Sequence, residues 1–298
     1  MAKRHISVCV CSFKRPHLLR RTLDNLRHFD TADLFDYSIV VADNDWRESA
    51  KETVEDFART TTVQVIYCVE PEQNIALARN KALEFAQGDL VAWIDDDEYP
   101  DRAWLLSFYR TLCQYKADGV LGPVKPVFET EPPVWIKRGG FFQKPRRSTG
   151  VRLNWSQTST ANVLMNRRIV DGLQEPFRRQ FGSGCEDLDF FKRMMERGHT
   201  FVWCDEAIVA EIIPPIRWRR RYLVRRALLR GRNGSNFADF TSVVKSIVAV
   251  PLYALMLPFL LFAGQHMFVK YLMKIGDHVG NLTGVLRLNL MGNKYLPG

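Results

Sequence analysis

This chain has no cysteine pair at the CxxC spacing of a structural zinc site, no internal repeat and no low-complexity tract. Its six cysteines are Cys9, Cys11, Cys68, Cys113, Cys185 and Cys204, of which Cys9 and Cys11 lie two apart in a strand-like run and face the same way. They read as reduced, mostly buried thiols of a cytosolic compartment. Met1–His5 is basic but enters that strand without a long apolar stretch, so no secretory signal is expected. The turn after the strand, Ser12-Phe13-Lys14-Arg15-Pro16, contains no glycine, which argues against a glycine-rich phosphate loop.

What is present suits a folded α/β protein. The 298 residues are 46% hydrophobic and 25% charged, enough for a sizeable core and too apolar for wholesale disorder. The formal charge of +9 leaves an anionic substrate, an anionic membrane surface or nucleic acid as partners. Strand-like runs at Ile6–Cys11, Tyr37–Ala42, Val63–Val69 and Leu90–Ile94 alternate with helical patterns after Pro16, over Ser49–Arg59 and over Ile75–Ala86, with Gly88 as the stop of the last. Apolar strands alternating with helices predict a mainly parallel sheet covered on both faces, with ligands beyond the carboxyl ends of its strands. Three strands end in polar turns, near Ser12, at Asp43 and at Asp95. Gly122–Gly150, rich in proline, glycine and basic residues, predicts long active-site loops; a strand over Asn162–Arg168 and a helix over Phe190–Arg197 flank the turn Phe181–Asp187.

Asp95, Asp96 and Asp97 followed by Glu98 concentrate like charge at a buried strand end. Such a cluster is either a solvated helix cap or the seat of a hard divalent cation such as Mg²⁺ or Mn²⁺, which takes one or two carboxylates plus substrate phosphates.

The ordered set Ser12-Phe13-Lys14-Arg15-Pro16, Val40-Val41-Ala42-Asp43-Asn44, Asn74 through Ala78-Arg79-Asn80, Ile94-Asp95-Asp96-Asp97 and Gly184-Cys185-Glu186-Asp187 resembles family 2 glycosyltransferases over roughly residues 5 to 235. Within that family the chain looks like bacterial enzymes that build exopolysaccharide or related surface glycans. The resemblance implies a GT-A fold, Rossmann-like with a mainly parallel central sheet, and a nucleotide-diphospho-sugar donor, a UDP-sugar by preference. It implies that Asp43 contacts the base, with Ser12, Lys14 and Arg15 closing over it, and that Arg79 holds base or diphosphate. Asp95 and Asp96 would serve the ribose and the surroundings of the Mg²⁺ or Mn²⁺, and Asp97, with Asp95, would ligate it. Three consecutive aspartates permit two alignments of the family's Asp-x-Asp motif. Asp187 would be the general base of an inverting displacement, with Glu186 orienting it or the acceptor. Glu211 stands where relatives carry a metal-binding histidine, and Asn162 either lines the sugar pocket or merely ends a strand.

Arg217, Arg219, Arg220, Arg221, Arg225, Arg226, Arg230 and Arg232 crowd one segment with Trp218 and Tyr222. No base-reading or stacking module accompanies them, so nucleic acid is not expected. The apolar stretch Ser246–Gly264, interrupted by Pro251 and Pro258 and basic on both flanks, points to an anionic membrane instead. A kinked, re-entrant or in-plane helix fits it better than a simple span, with Arg217, Trp218, Arg221 and Arg225 at the headgroups. The expected organisation is a nucleotide-sugar-binding part (1–115), an acceptor-binding and catalytic part (116–235) and a C-terminal helical membrane-associating extension (236–298). The expected enzyme uses a lipid-linked saccharide or glycan acceptor at the cytoplasmic face of the inner membrane. Its rivals are a nucleotidyltransferase, disfavoured by the glycine-free first turn, and a non-catalytic scaffold, disfavoured by the undamaged motifs.

Overall fold

The computed structural model describes residues 3–288. They form two compact units: one runs from the amino end to Lys125 and resumes over Lys144–Glu211; the other comprises Pro126–Gln143 and the described chain from Ile212. The units cut the chain elsewhere than expected, because residues 116–125 and 144–211 complete the first unit and residues 212–235 join the C-terminal helices.

In chain order the elements are β1 (Arg4–Ser12), α1 (Pro16–Leu26), β2 (Phe35–Asp43), α2 (Lys51–Arg59), β3 (Gln64–Val69), α3 (Ile75–Phe85), β4 (Leu90–Asp95), β5 (Glu98–Pro100), α4 (Trp104–Tyr115), β6 (Gly119–Leu121) and β7 (Val124–Phe128). Then come α5 (Val134–Gly139), β8 (Asn162–Asn166), α6 (Glu186–Glu196), β9 (Phe201–Trp203), β10 (Val209–Ile213), α7 (Arg220–Gly234), α8 (Phe240–Phe262) and α9 (Gln265–Val285).

The first unit is built on a seven-stranded sheet in the order β3-β2-β1-β4-β8-β6-β9, parallel from β3 to β4 and antiparallel only where β8 enters. This confirms the α/β, mainly parallel fold class. Both faces are buried because the strands are apolar at odd and even positions alike. Ile6, Val8 and Val10 of β1 and Leu90, Ala92 and Ile94 of β4 pack with Leu19, Leu23 and Leu26 of α1 and with α4. Cys9, Val91 and Trp93 point to the other face, against α3 and α6. The cysteines are all free; Cys9, Cys68 and Cys204 are buried, whereas Cys113 is exposed.

Two local expectations change. The helix α3 ends at Phe85, when Ala86 turns extended, so Gly88 is not its stop. Gly88 instead lets the chain graze β1: a Cβ there would lie 2.6 Å from the His5 carbonyl oxygen and 2.7 Å from the Ser7 nitrogen. The stretch expected as loops, 122–150, carries β7 and α5.

The second unit has its own apolar cluster, in which Ile136 and Phe142 meet Ile213, Trp218, Leu223, Ala227, Val269 and Met273. Arg217 and Trp218 are therefore corrected: both are buried, Trp218 edge-on to Phe128 at 5.9 Å, and the exposed cations of this segment are Arg219, Arg220, Arg221 and Arg230, with Arg225 half-buried. Helices α7 and α9 approach closely through Gly276, Gly280 and Gly284, one turn apart on α9. A Cβ at Gly280 would sit 2.2 Å from the Leu228 carbonyl oxygen, which is backbone and cannot swing away. Gly280→Val is expected to force the pair apart and destabilise this unit by about 1–3 kcal/mol, read as an earlier thermal transition than that of Gly234→Ala, where a Cβ meets nothing. Helix α8 runs unbroken through Pro251 and Pro258, capped by Asp239 and followed by Gly264, whose φ is +108°.

Candidate active site

The parallel register places the three polar strand ends side by side, Ser12 beside Asp43 and Cys11 beside Asp95. Around this edge the acidic turn divides its three aspartates. Asp96 is turned inward and fully buried: Ser12 Oγ donates to its Oδ2 at 2.8 Å, Arg15 pairs with its Oδ1, and Thr22 Oγ1 donates to its carbonyl at 2.7 Å. Burial pushes its carboxyl up to about 7, against the pull of Arg15. Asp95 keeps 41% of its side chain exposed, whereas Asp97 is buried, with Arg15 Nη1 3.3 Å away. Asp96 thus clasps the β4 turn to the start of α1, and Asp95 and Asp97 flank it.

Asp43 is wholly buried, and three donors reach its carboxylate: the backbone N–H of Asp45 (3.1 Å) and of Ala50 (2.7 Å), and the Tyr67 hydroxyl (2.9 Å). With about four acceptor positions on a carboxylate, most of it is spent on shaping the 44–50 turn. Burial, opposed by these hydrogen bonds, raises its affinity for a proton. Lys14, left-handed at φ 56°, reaches Asp45 at 3.9 Å.

By sequence Arg79 is as consistent with a solvated helix face as with the site; the structure buries it. Its Nε donates to Glu186 Oε1 at 3.2 Å, its Nη2 stands 3.6 Å from Asp95 Oδ1, and its guanidinium lies 5.3 Å from the Trp93 ring. One cation therefore joins the acidic turn to the first turn of α6. That turn begins at Cys185, left-handed at φ 70°, after Gly184 at φ 129°. The same neighbourhood is tied back to β2: Asn74 caps α3 and donates its own N–H to Asn44 Oδ1 at 2.9 Å, and the next N–H, of Ile75, reaches the Gly182 carbonyl at 3.3 Å. A side chain at Gly182 would collide with Asn74 at 2.2 Å.

Asp187 accepts from its neighbour's N–H (Leu188, 2.7 Å), and the nearby Ser159 hydroxyl and Thr160 N–H also favour its ionised form. Burial raises the proton affinity of both Glu186 and Asp187; Glu186 reaches about 7, through burial first and the Asp187 charge second, with Arg79 opposing. Tyr67, Ser159 and Thr160 escape a reading of the sequence, since an isolated hydroxyl carries no pattern.

Glu211 on β10 sits directly opposite Glu98 on β5, and Lys144 Nζ lies 3.5 Å from Glu211 Oε2. Glu98 is buried, accepts the Asp95 N–H at 3.2 Å and is raised well above the usual carboxylate range, mainly by burial and then by Asp95. Among the described residues no three acids, histidines or cysteines already converge as a metal cage. The residues expected as ligands, Asp95, Asp97 and Glu211, are all carboxylates, the donor type that fits a hard cation completed by substrate phosphates. Asn162 is committed internally: it accepts from Trp104 Nε1 at 2.8 Å and donates to the carbonyls of Pro123 (3.0 Å) and Ala207 (2.8 Å).

The fold is that of the GT-A glycosyltransferases. Among solved structures, the Pyrobaculum calidifontis mannosyltransferase PcManGT, in complex with GDP-Man and Mn²⁺, matches with a TM-score of 0.59 at 19% identity, over 79% of this chain and 64% of that one. S. aureus TarS in complex with UDP-GlcNAc matches at 0.52 and 15%, over 76% and 66%. The family model for glycosyl transferase family 2 matches residues 7–173. The succinoglycan biosynthesis protein ExoM of Rhizobium meliloti is 33% identical over 231 residues, 76% of this chain and 73% of that protein. The chain belongs to glycosyltransferase family 2, and it is a glycosyltransferase related to enzymes of surface polysaccharide biosynthesis.

Proposed function

We propose that this enzyme moves a sugar, with inversion, from a UDP-sugar to a hydroxyl of a lipid-linked saccharide or glycan at the cytoplasmic face of the cell membrane, with Mg²⁺ or Mn²⁺ as cofactor. The observation that carries the proposal is the Arg79 bridge, which holds the acidic turn and the Glu186-Asp187 turn at one sheet edge. Within the first unit, the part up to residue 115 supplies the donor side. Asp43 shapes the loop for the base, Ser12, Lys14 and Arg15 close over it, and Arg79 and Asp96 fix the walls. Residues of the following part, with Asn162 pinning β8 to the 123 and 207 loops, support the acceptor side.

In the reaction, the acceptor oxygen forms a bond to the anomeric carbon as the bond to the diphosphate oxygen breaks. Asp187 takes the hydroxyl proton, and Glu186, held by Arg79, keeps Asp187 in place. Asp95 and Asp97, with Glu211 across from Glu98, would hold the divalent cation. When bound, the cation neutralises charge developing on the leaving nucleotide diphosphate. The burial of Asp96 favours the alignment in which Asp95 and Asp97 are the pair that faces the cation.

Calorimetric titration with UDP, GDP and dTDP, each with and without Mn²⁺, tests the donor side. One nucleotide is expected to bind tightly only with the metal, and Asp97→Ala is expected to weaken that binding at least tenfold. Metal-independent binding, unchanged in the variant, would sink the assignment.

A further inference from the structure

We infer that α8 lies in the plane of an anionic bilayer surface, its outer face sunk among the acyl chains, and does not cross the membrane. The inference rests on the membrane reading above and adds to it the disposition of the helix, which length and composition alone leave open. Among the described residues α8 is the one helix long and apolar enough to span.

The burial pattern gives α8 two faces. Ser246, Ala249 and Leu260 are buried toward α9, whereas Leu255 is 72% exposed, Phe259 70% and Phe262 93%. A face of this size has no polar group to offer water except Thr241 and Lys245. Lys245 can extend its stem along the apolar surface and keep its ammonium among headgroups.

The partner helix decides the disposition. Along the inner face, Tyr253 meets Tyr271 edge-on at 5.3 Å, and Ser246 Oγ lies 3.0 Å from His278 Nδ1 and 3.2 Å from Asn281 Nδ2. These contacts set the middle of α8 level with Lys274, whose ammonium rests over the rings of Tyr271 (4.4 Å) and Tyr253 (5.5 Å). Three residues further along α9, Asp277 is gripped by both arms of Arg230 from α7, at 2.9 and 2.7 Å. If α8 crossed the bilayer, Lys274 and the Arg230–Asp277 pair would be carried to its midplane, where charge is most costly. An in-plane α8 leaves all of them at the wet side of the interface.

Charge identifies the lipid. The sequence of the second unit holds 15 basic and 4 acidic residues, a net +11, while the whole chain is +9, so the first unit is slightly negative. The positive surface belongs to the unit that exposes α8, and an anionic leaflet complements it.

The test uses the full chain with Cys113 replaced by serine and an environment-sensitive probe on Val244→Cys, Leu252→Cys or Phe262→Cys. These positions lie along about 27 Å of helix at ~1.5 Å per residue. Depth is read with lipids brominated at successive acyl positions, in phosphatidylcholine vesicles with and without 30 mol% phosphatidylglycerol. All three probes are expected at one shallow depth, with binding at least tenfold tighter to the anionic vesicles. Leu255→Glu/Phe259→Glu is expected to weaken that binding at least tenfold while its circular dichroism stays unchanged. A deep probe at 252 between shallow ones at 244 and 262 would overturn the in-plane placement and leave the membrane reading standing. No association with either vesicle by the folded protein would remove the membrane reading as well. Undiminished binding by the double glutamate variant would show that the apolar face is not the contact.

Discussion

Replacing Asp187 by asparagine is expected to lower the transfer rate by about 10²–10⁴-fold, the usual worth of a positioned general base, with donor affinity nearly unchanged. The argument begins with local structure. A carboxylate in the first turn of α6 could serve only to complement the helix end, worth about 0.3–1 kcal/mol. The site asks more of Asp187, because burial raises its proton affinity although Arg79, Leu188, Ser159 and Thr160 all favour the ionised form. Asparagine keeps an oxygen for these donors, so the variant should lose roughly 1 kcal/mol of stability and remain folded. A rate measured at saturating donor then isolates the proton transfer. The wild-type rate should also fall on the acid side. The Glu186–Asp187 pair must shed protons to supply a base, and Glu186 lies at about 7, so kcat/KM should drop as pH falls through that region. The Asp187→Asn variant, having no base to protonate, should show a flatter acid limb. A variant with wild-type turnover would remove Asp187 from the chemistry.

The parts of this molecule that are legible in sequence are those set by local pattern. Strands β1, β2 and β4 announce themselves because both faces are buried, so their apolar runs are nearly continuous, and their polar ends fall where the sheet register places them together. The family resemblance then points to the site. What stays hidden depends on partners far apart in the chain. The fate of Asp96 is set by Ser12 and Arg15, 84 and 81 residues away, and no local pattern distinguishes it from Asp95 or Asp97. Asn162 is occupied by Trp104, Pro123 and Ala207, none of them its sequence neighbour. Trp218 reads as an interfacial aromatic because it sits among arginines, yet Phe128 and the second unit's apolar cluster claim it. The glycines of α9 give no signal until α7 is seen to lie against them.

Arg79→Met is expected to cost about 1–3 kcal/mol of stability at pH 8 and less at pH 6, because removing one member of a buried pair leaves Glu186 either uncompensated or obliged to take up a proton. Arg79 and Glu186 each keep only 7% of their side chains exposed, so water cannot replace the lost cation, whereas Asp95, at 41%, can recover solvent. Most of the penalty therefore belongs to Glu186. Two consequences separate this account from a simple packing defect beneath Trp93. The double variant Arg79→Met/Glu186→Gln should recover most of the stability, because no unpaired charge is left in the core. The pH dependence follows from the direction of the Glu186 shift. A carboxyl whose folded proton affinity is raised stabilises the fold at low pH and loses that contribution as pH rises through its folded pKa. Wild-type Glu186 already lies at about 7, and without Arg79 it should lie higher still. The variant's deficit should therefore widen between pH 6 and pH 8, measurable as denaturation midpoints at the two values. A deficit equal at both, and not relieved by Glu186→Gln, would mean that Arg79 acts through its contact with the aromatic rings and not as the cation that joins the two halves of the site.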